Sequence, residues 1–272
     1  MRYPAVAGQF YEAEPRALGM QIDGCYRHLL GPGEKPAVAK GGPRTLKGLV
    51  VPHAGYVYSG PIAAHAFAAL ARDGLPATFV IFGPNHTGLG AAQALGTHDW
   101  ETPLGIARCD RDLAVRMMKG PIMDDIIAHR HEHSIEVQLP FLQDLTPDVT
   151  FVPICIGIQE LEDVVEVGKI VRDAIKGKDV VVLASTDFSH YIPKDEAARR
   201  DRLAIEKILS FDVDGFYRTI KTHDISMCGY GPVIAMMTAI ESARPEFIAY
   251  GSSGDVAPMR DVVGYAAIAM RR

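Results

Sequence analysis

Three short runs of apolar residues constrain the fold of this chain more than any other feature of its sequence. The runs are Leu49–Val51, Thr78–Gly83 and Val180–Ser185. Apolar, largely β-branched stretches of this length are typical of strands that are covered on both faces of a sheet. An alanine-rich stretch over residues 59–73 separates the first two runs and favours a helix. The pattern therefore predicts a βαβ unit and an α/β fold.

Each of the three predicted strands is followed by a histidine. His53, His86 and His190 lie in the loops that come directly after the strands. In open α/β sheets, ligands bind outside the carboxyl ends of the strands. A single histidine is an ordinary polar residue, but three that are delivered in the same way predict one shared functional site.

The first histidine stands in a predicted turn between a strand and a helix. Pro52 lacks an N–H group and is expected to end the strand. Gly55 allows the backbone to turn back without a Cβ clash. Ser59 is a good N-cap, and Pro61 is tolerated in a first turn, so we expect the helix to open at Ser59.

The most polar stretch of the chain carries histidines at alternating positions, His129, His131 and His133. Alternation would place all three on one side of a strand, but a helical pattern of apolar residues begins at about His133. We therefore expect His133 and Glu136 to face the crevice from the start of a helix, and His129 and His131 to be solvated. Glu132 or Glu136 is alternatively a cap or a partner that orients a histidine.

The four cysteines lie far apart and form no CxxC pair, which argues against a structural zinc site and against a disulfide scaffold. Cys155 falls in a predicted strand and is expected to be an inert core thiol. Cys228 lies at or just before the N-terminus of a predicted helix. Because the helix dipole favours a thiolate there, we expect Cys228 to be the most acidic of the four.

Length and composition narrow the class of protein. The chain has 272 residues with no shift in composition that marks a boundary, so we expect one domain over residues 1–272. The net charge is −5 and there is no basic stripe, which disfavours nucleic acid as a partner. No apolar run approaches the roughly 18 residues that span a bilayer. The N-terminus lacks the pattern of a signal peptide, and a reducing cytoplasm is the expected location.

Imidazoles beside a thiolate are ligands that suit zinc, copper or iron. A site with three protein ligands leaves positions open for water or a substrate. Asp187 is expected to orient a histidine or hold a water, and His190 to be either a ligand or a general base. A metal-free alternative uses Cys228 as a nucleophile and His190 as its base, although no signature of the well-known cysteine hydrolases is present.

Taken together, the motifs resemble the Memo family along nearly the whole chain. The matching segments, in order, are Ala7–Tyr11, Pro52–Tyr56, Gly83–His86, Glu132–Glu136, Ser185–His190 and Ile225–Pro232. The fold of that family is similar to the class III extradiol dioxygenases, which are non-haem iron enzymes. The resemblance implies a three-layer α/β/α domain with a mixed, mostly parallel central sheet.

The resemblance also implies a site. It assigns His53, His86 and Cys228 as ligands of a divalent metal, with Fe(II) in the first place and copper or zinc as alternatives. It places His190 where the dioxygenases keep an acid–base histidine. Asp187 and His133 lie nearby and complete the expected catalytic group.

Two departures limit what the resemblance carries over. The dioxygenases use a glutamate where this chain has Cys228, and a softer thiolate ligand changes redox behaviour, so the ring-opening reaction is not implied. Phe10 stands where the family often has a tryptophan. Microbial members are often grouped with radical-SAM and AMMECR-type proteins, which implies a functional link.

Two hypotheses follow. The first is an iron- or copper-dependent oxidoreductase that acts on a small molecule. The second is a binding protein that uses the same crevice for a metal or an anionic peptide, because an animal member of the family is described as a phosphotyrosine-peptide binder. An intact pair of His190 and Asp187 beside the metal favours the first hypothesis, because a pure binding protein has no need of an acid–base group. The choice between a monomer and a homo-oligomer is left open.

Overall fold

A computed structural model describes residues 1–272. Its strands are β1 (Leu46–Val51), β2 (Thr78–Pro84), β3 (Gln93–Leu95), β4 (Trp100–Thr102), β5 (Gly105–Cys109), β6 (Ile122–Asp124), β7 (Thr150–Ile156), β8 (Val180–Ser185), β9 (His190–Pro193), β10 (Arg244–Ser252) and β11 (Asp261–Arg271). Its helices are α1 (Pro15–Arg27), α2 (Tyr56–Asp73), α3 (Arg111–Met117), α4 (Ile126–Arg130), α5 (Leu139–Leu145), α6 (Leu161–Ile175), α7 (Lys194–Leu209), α8 (Val213–Thr222), α9 (Tyr230–Ile240) and α10 (Ser253–Val256). A single 3-10 turn, Glu136–Gln138, precedes α5.

The strands form one mixed sheet whose main path runs in the order β10-β11-β1-β8-β2-β7-β3-β6. The four central strands β1, β8, β2 and β7 are mutually parallel. Antiparallel pairs lie towards the sides, where β11 joins β1 and β10, and where β3 joins β7. The predicted parallel arrangement of the three histidine-bearing strands is therefore confirmed, since β1, β8 and β2 are direct neighbours.

Alternate residues of each central strand enter different halves of the core. In β1, Val50 packs into one apolar cluster, while Leu49 and Val51 pack into the other. One cluster includes side chains of α6 to α9, and the other includes side chains of α1, α2 and α5. The two clusters contain 35 and 33 buried residues, so the sheet is covered almost equally on both faces. This is the predicted α/β/α layering.

The start of α2 differs from the prediction. The helix begins one turn earlier than expected, at Tyr56, with Gly55 as its N-cap. Ser59 lies inside the helix, where its hydroxyl donates a hydrogen bond back to the carbonyl oxygen of Ala54 at 2.8 Å. Pro61 is also an interior residue. Its missing N–H leaves the carbonyl group of Val57 without a helical donor, and Val57 is exposed, so water is able to replace it.

None of the ten helices is both long enough and apolar enough to cross a lipid bilayer. The longest, α2, has 18 residues. Most of its side chains are buried inside the protein, against β1, β10 and β11.

Candidate metal centre

The six residues expected to be metal ligands or catalytic groups all line one cavity at the carboxyl ends of the central strands. The cavity has a volume of about 500 Å³. The six residues are His53, His86, His133, Asp187, His190 and Cys228. The loop after β1 supplies the first, the loop after β2 the second, and the segment after β8 supplies Asp187 and His190. The parallel arrangement of the strands is therefore what brings these distant residues together.

Three of these residues present potential ligand atoms to one point. His53, His86 and Cys228 each offer one nitrogen or sulfur atom, and these atoms lie within 4.8 Å of one another. Nε2 of His53 is 3.2 Å from Sγ of Cys228. The rings of His53 and His86 meet edge to face, with centroids 5.2 Å apart. His53 is almost fully buried, whereas about a third of the His86 side chain (33%) is exposed.

Hydrogen bonds fix the tautomer of His53. The hydroxyl of Ser185 donates to the carbonyl oxygen of Ser134 at 2.5 Å, so it must accept from Nδ1 of His53 at 2.9 Å. The proton therefore sits on Nδ1, and Nε2 keeps its lone pair towards Cys228. Burial, followed by repulsion from the neighbouring histidines, holds the pKa of His53 well below its usual value. The ring is neutral, as a metal ligand must be.

His86 is oriented in the same way by a buried carboxylate. Nδ1 of His86 donates to Oε1 of Glu132 at 2.9 Å, and the backbone N–H of His86 donates to Oε2 at 2.5 Å. Burial alone would raise the pKa of Glu132, but the hydrogen bond from His86 and the electrostatic attraction of the nearby histidines outweigh burial and lower the pKa of Glu132 to about 2. The predicted partner role of Glu132 is thus what its contacts show, and Nε2 of His86 is left free.

A second group of potential ligands, His86, Glu132 and His133, also lies close together. The carboxylate of Glu132 is already the acceptor for several donors, because it also accepts the N–H groups of His133 at 2.8 Å and Ser134 at 2.9 Å. Its oxygens are therefore committed to holding the turn. We therefore assign Glu132 to the positioning of His86 and not to the binding of a second metal ion.

Cys228 precedes α9, as predicted, but it is not an acidic thiol in the metal-free protein. Its Sγ accepts the N–H of Asp187 at 3.3 Å. Burial, followed by the negative charge of Asp187, raises the pKa of the Cys228 thiol well above its usual value. The expected effect of the helix dipole is outweighed, because the sulfur is shielded from water and lies beside a carboxylate. A bound cation would reverse this balance, since a coordinated thiol loses its proton.

Asp187 and His190 do not form the expected pair. The carboxylate of Asp187 accepts the backbone N–H of His53 at 2.8 Å. Burial raises the pKa of Asp187 to about 6, against the lowering effect of that hydrogen bond. The His190 ring is oriented instead by Ser226, whose carbonyl oxygen accepts from Nδ1 at 2.8 Å and whose hydroxyl accepts the His190 N–H at 2.8 Å. Nε2 of His190 is left without a protein partner.

His133 lines the cavity, as predicted. Its ring stacks on that of His86, with centroids 4.7 Å apart and an interplanar angle of 20°. The ring of Phe10 also contacts it, with centroids 4.6 Å apart and an interplanar angle of 52°. Burial outweighs the attraction of Glu132 and lowers the pKa of His133 to about 4. His133 is therefore a neutral ring packed against the rings of Phe10, His86 and His53.

Two expectations for the surrounding stretch are wrong. His129 is not solvated but fully buried, with its ring against Trp100 at a centroid distance of 5.5 Å. Glu136 is also buried and faces the N-terminal segment, where it accepts from Tyr11, and not the crevice. The reason is that the short helix α4 ends at Arg130 and a turn follows, so neither a strand nor one continuous helix sets the orientation. His131 is exposed, as expected.

Sequence reasoning named Glu132 as a partner of a histidine, but it did not assign roles to the two serines that orient His53 and His190. Ser185 is the last residue of β8, and Gln138 holds it through a hydrogen bond from Nε2 to the hydroxyl at 2.8 Å. Ser226 lies two residues before Cys228. The sequence does hold one clue to Ser185 and Ser226, since both are hydroxyl residues close to predicted site residues. That clue does not tell which histidine each serine contacts.

A divalent metal ion fits this arrangement. Two imidazoles present their Nε2 atoms, and a thiol lies beside them, which is a donor set that zinc, copper and iron accept. The Nδ1 atoms of both rings donate to protein acceptors, as is usual for histidines that bind a metal.

Comparisons with known proteins agree with this structure. A solved structure of the uncharacterized protein JW3007 from Escherichia coli K12 shares the fold, with a TM-score of 0.53 and 14% identity over 82% of this chain and 99% of that one. A MEMO1 family protein of Methanopyrus kandleri is 47% identical over 100% of this chain and 99% of its own length. Another, from Methanothermobacter thermautotrophicus, is 46% identical over 98% of this chain and 99% of its own. A family model described as Memo-like protein matches residues 2–269. The chain therefore belongs to the Memo-like family.

Proposed function

We propose that this protein binds one divalent metal ion, Fe(II) in the first place, through His53, His86 and Cys228, and acts as an oxidoreductase on a small molecule in the adjoining cavity. The observation that carries the proposal is the pair of fixed tautomers. Ser185 and Glu132 hold the Nδ1 protons of the two histidines, so both Nε2 lone pairs remain available beside a thiol. A site evolved only for packing has no need of such an arrangement.

The donor set favours a redox-active ion. Iron or copper bound there would supply one-electron chemistry and open coordination positions for a substrate. Zinc also accepts two imidazoles and a thiolate, and it remains the alternative without redox chemistry. As metal ligands, Cys228 would add the negative charge of a thiolate to the site, and His53 and His86 would add none, because histidine binds a metal as a neutral imidazole.

The remaining residues support the handling of a proton. His190 keeps a free Nε2 on the wall of the cavity, while Ser226 fixes its other nitrogen. It is therefore placed to accept a proton from a substrate or return one. Asp187 has a different role. Its carboxylate accepts the backbone N–H of His53, and its own backbone N–H donates to Sγ of Cys228. We assign it to positioning of the two ligands.

The alternative is a binding protein without turnover, which uses the same cavity for a metal or an anionic peptide. Phosphate and carboxylate groups are usually recognised by arginine forks or lysines. No arginine or lysine lines this cavity. An anionic ligand would therefore depend on the metal for its attraction, which makes the oxidoreductase the better supported of the two functions.

The first experiment is the metal content of protein purified without oxygen, measured by elemental analysis together with an electron paramagnetic resonance spectrum. We expect about one iron or copper per chain, by analogy with other sites of three protein ligands. His53→Ala should lose the metal and Cys228→Ser should weaken its binding.

Two variants serve as controls for that experiment. His190→Ala should keep the metal, since its ring is assigned to proton transfer. His131→Ala removes an exposed histidine of the same region and should change nothing. If the protein holds no metal and takes none up on addition, the proposal is wrong. Equal loss of metal from the Cys228 and His190 variants would overturn the division of roles.

A further inference from the structure

The first residues of the chain pack against the turn that carries Glu132 and His133. We call residues 2–11 the N-terminal strap. At its start, the N–H of Arg2 donates to the carbonyl oxygen of Asp99 at 2.9 Å, and the N–H of Glu101 donates to the carbonyl oxygen of Arg2 at 2.8 Å. The strap is thereby anchored beside β4 before it reaches the site.

Glu136 is the acceptor on which the strap converges. Its carboxylate accepts the backbone N–H groups of Ala5 at 2.8 Å and Val6 at 3.1 Å. It also accepts the hydroxyl of Tyr11 at 2.5 Å and forms an ion pair with Arg2. Both oxygens are therefore engaged by four groups of the strap, and Glu136 itself is fully buried.

Arg2 contacts the same turn from its other end. Its Nη2 donates to the carbonyl oxygen of Glu132 at 2.6 Å, and its Nε donates to that of His129 at 3.1 Å. Its guanidinium group lies over the ring of Trp100, 4.3 Å from the centroid. Arg2 therefore contacts the chain on both sides of His133, through the carbonyl oxygens of His129 and Glu132 before it and through the carboxylate of Glu136 after it.

The far end of the strap delivers Phe10 to the cavity. A tight turn at Gly8, where φ is +80°, is closed by a hydrogen bond from the N–H of Gly8 to the carbonyl oxygen of Tyr11 at 2.7 Å. The carbonyl oxygen of Phe10 accepts the N–H of Tyr56, the first residue of α2, at 2.7 Å. The Phe10 ring is thus held against His133 and forms part of the cavity wall.

We infer that the Arg2–Glu136 pair is a positioning device that fixes Phe10 and His133 against each other, and so sets the shape of the cavity wall beside the metal ligands. Glu136 and Arg2 are positioning residues, and Phe10 is a determinant of which small molecule fits. A buried ion pair contributes little net stability but is able to specify one arrangement. The consequence for substrate choice rests on the proposed function, whereas the geometric statement does not.

The test measures the rate at which diethyl pyrocarbonate acylates His133 in the full chain. The rate is measured by peptide mass spectrometry, before and after a chelator has removed any metal. His131 lies on the same tryptic peptide, is exposed, and serves as an internal standard. Glu136→Gln should raise the His133-to-His131 ratio of rates by about tenfold, because losing a charge-assisted hydrogen bond favours local opening of the strap. Phe10→Ala should raise the ratio similarly.

Asp73→Asn is the matched control, because Asp73 is also a buried carboxylate that pairs with an arginine, Arg271, but at the other end of α2. It should lower stability without changing the ratio. If Glu136→Gln does not fold, Tyr11→Phe removes one donor to the same carboxylate and replaces it in the test. The inference is overturned if Glu136→Gln or its replacement leaves the ratio unchanged, or if Asp73→Asn raises it equally. The assay needs no bound metal, so failure of the proposed metal site would not be confused with failure of this inference.

Discussion

The hydroxyl of Ser185 has a single proton, and that proton decides which nitrogen of His53 is free. Because the proton goes to the carbonyl oxygen of Ser134, the hydroxyl accepts from Nδ1 of His53 and from Gln138. This residue is therefore placed to orient a candidate ligand without itself contacting the metal that we propose.

Ser185→Ala should lower metal affinity by about tenfold or more, the usual effect of losing a group that orients a metal-binding histidine. Titration with Co(II) or Zn(II) against a competing chelator measures the change. Ser59→Ala is the control, since Ser59 is also buried and hydrogen-bonded but lies inside α2, and it should leave the affinity unaltered. An unchanged affinity in the Ser185 variant would show that the tautomer of His53 is set by other means.

Metal affinity should rise with pH. The pKa of the Cys228 thiol is raised by burial, so the metal-free protein keeps the thiol proton at neutral pH and releases it when a metal binds. Release of one proton makes the apparent affinity increase by about tenfold per pH unit, which we expect between about pH 7.5 and 9. Cys228→Asp, whose carboxyl group ordinarily ionises at much lower pH, should remove most of this slope. A flat profile in the wild type would contradict the protonated thiol.

At the residue scale, the sequence predicted which side chains meet and that Glu132 is a partner of a histidine, but not the serines that orient His53 and His190. His53, His86 and His190 were predicted to share one site because each follows a strand, and the end of an apolar run shows where a strand ends. The pairing of His190 with Ser226 instead of Asp187 depends on how the segment before α9 folds back, which no local pattern encodes. His129 was misplaced because its burial against Trp100 is a contact between different parts of the chain.

At the scale of elements, β2 and the turn before α5 approach each other too closely for a side chain. A Cβ atom on Gly83 would lie 2.4 Å from Oγ of Ser134 and 2.7 Å from a side-chain carbon of Ile135. Close packing against Ser134 and Ile135 therefore requires a glycine at position 83, directly before the loop that carries His86.

Gly83→Ala should lower the free energy of unfolding by about 1–3 kcal/mol, as overpacking does in a filled core. Gly19→Ala provides the contrast, because nothing lies within 4 Å of a Cβ at that position in α1. It should raise the free energy of unfolding by about 0.5–1 kcal/mol, the difference between glycine and alanine in a helix. Urea denaturation of both variants measures the two changes, and equal effects would refute the packing argument.

Elements were predicted best where one signal dominates. The central strands are predicted by their apolar runs, and the body of α2 is predicted by its alanine-rich stretch. The start of α2 was misjudged because two start signals compete within four residues. Ser59 has the better capping side chain, but Gly55 already allows the turn, and the helix gains a further turn by starting there.

At the scale of the whole molecule, the candidate ligands come from both halves of the chain, so metal binding and folding are coupled. A ligand that binds only the folded state stabilises it by about 2.7 kcal/mol when its free concentration is about 100 times Kd. We expect Zn(II) at that concentration to raise the melting temperature of the wild type and to have little effect on His53→Ala. A similar shift in both proteins would point to binding elsewhere on the surface.

The architecture was predictable as a class but not in its strand order. The buried runs required a sheet that is covered on both sides, and that is what the two apolar clusters show. The insertion of β8 between β1 and β2, and the antiparallel addition of β11 and β10, are long-range pairings. Sequence periodicity shows which residues form strands, and it carries no information on which strands become neighbours.

The separation of Cys228 from His53 along the chain, 175 residues, has a consequence for the living cell. A ribosome adds roughly 5–20 residues per second, so the sulfur is made on the order of ten seconds or more after the first imidazole. During that interval the nascent polypeptide has imidazoles and no thiolate to offer at this centre. An ion held by all three is therefore acquired only after Cys228 has been added to the chain, and the choice of ion depends on what the cell supplies from that stage onwards.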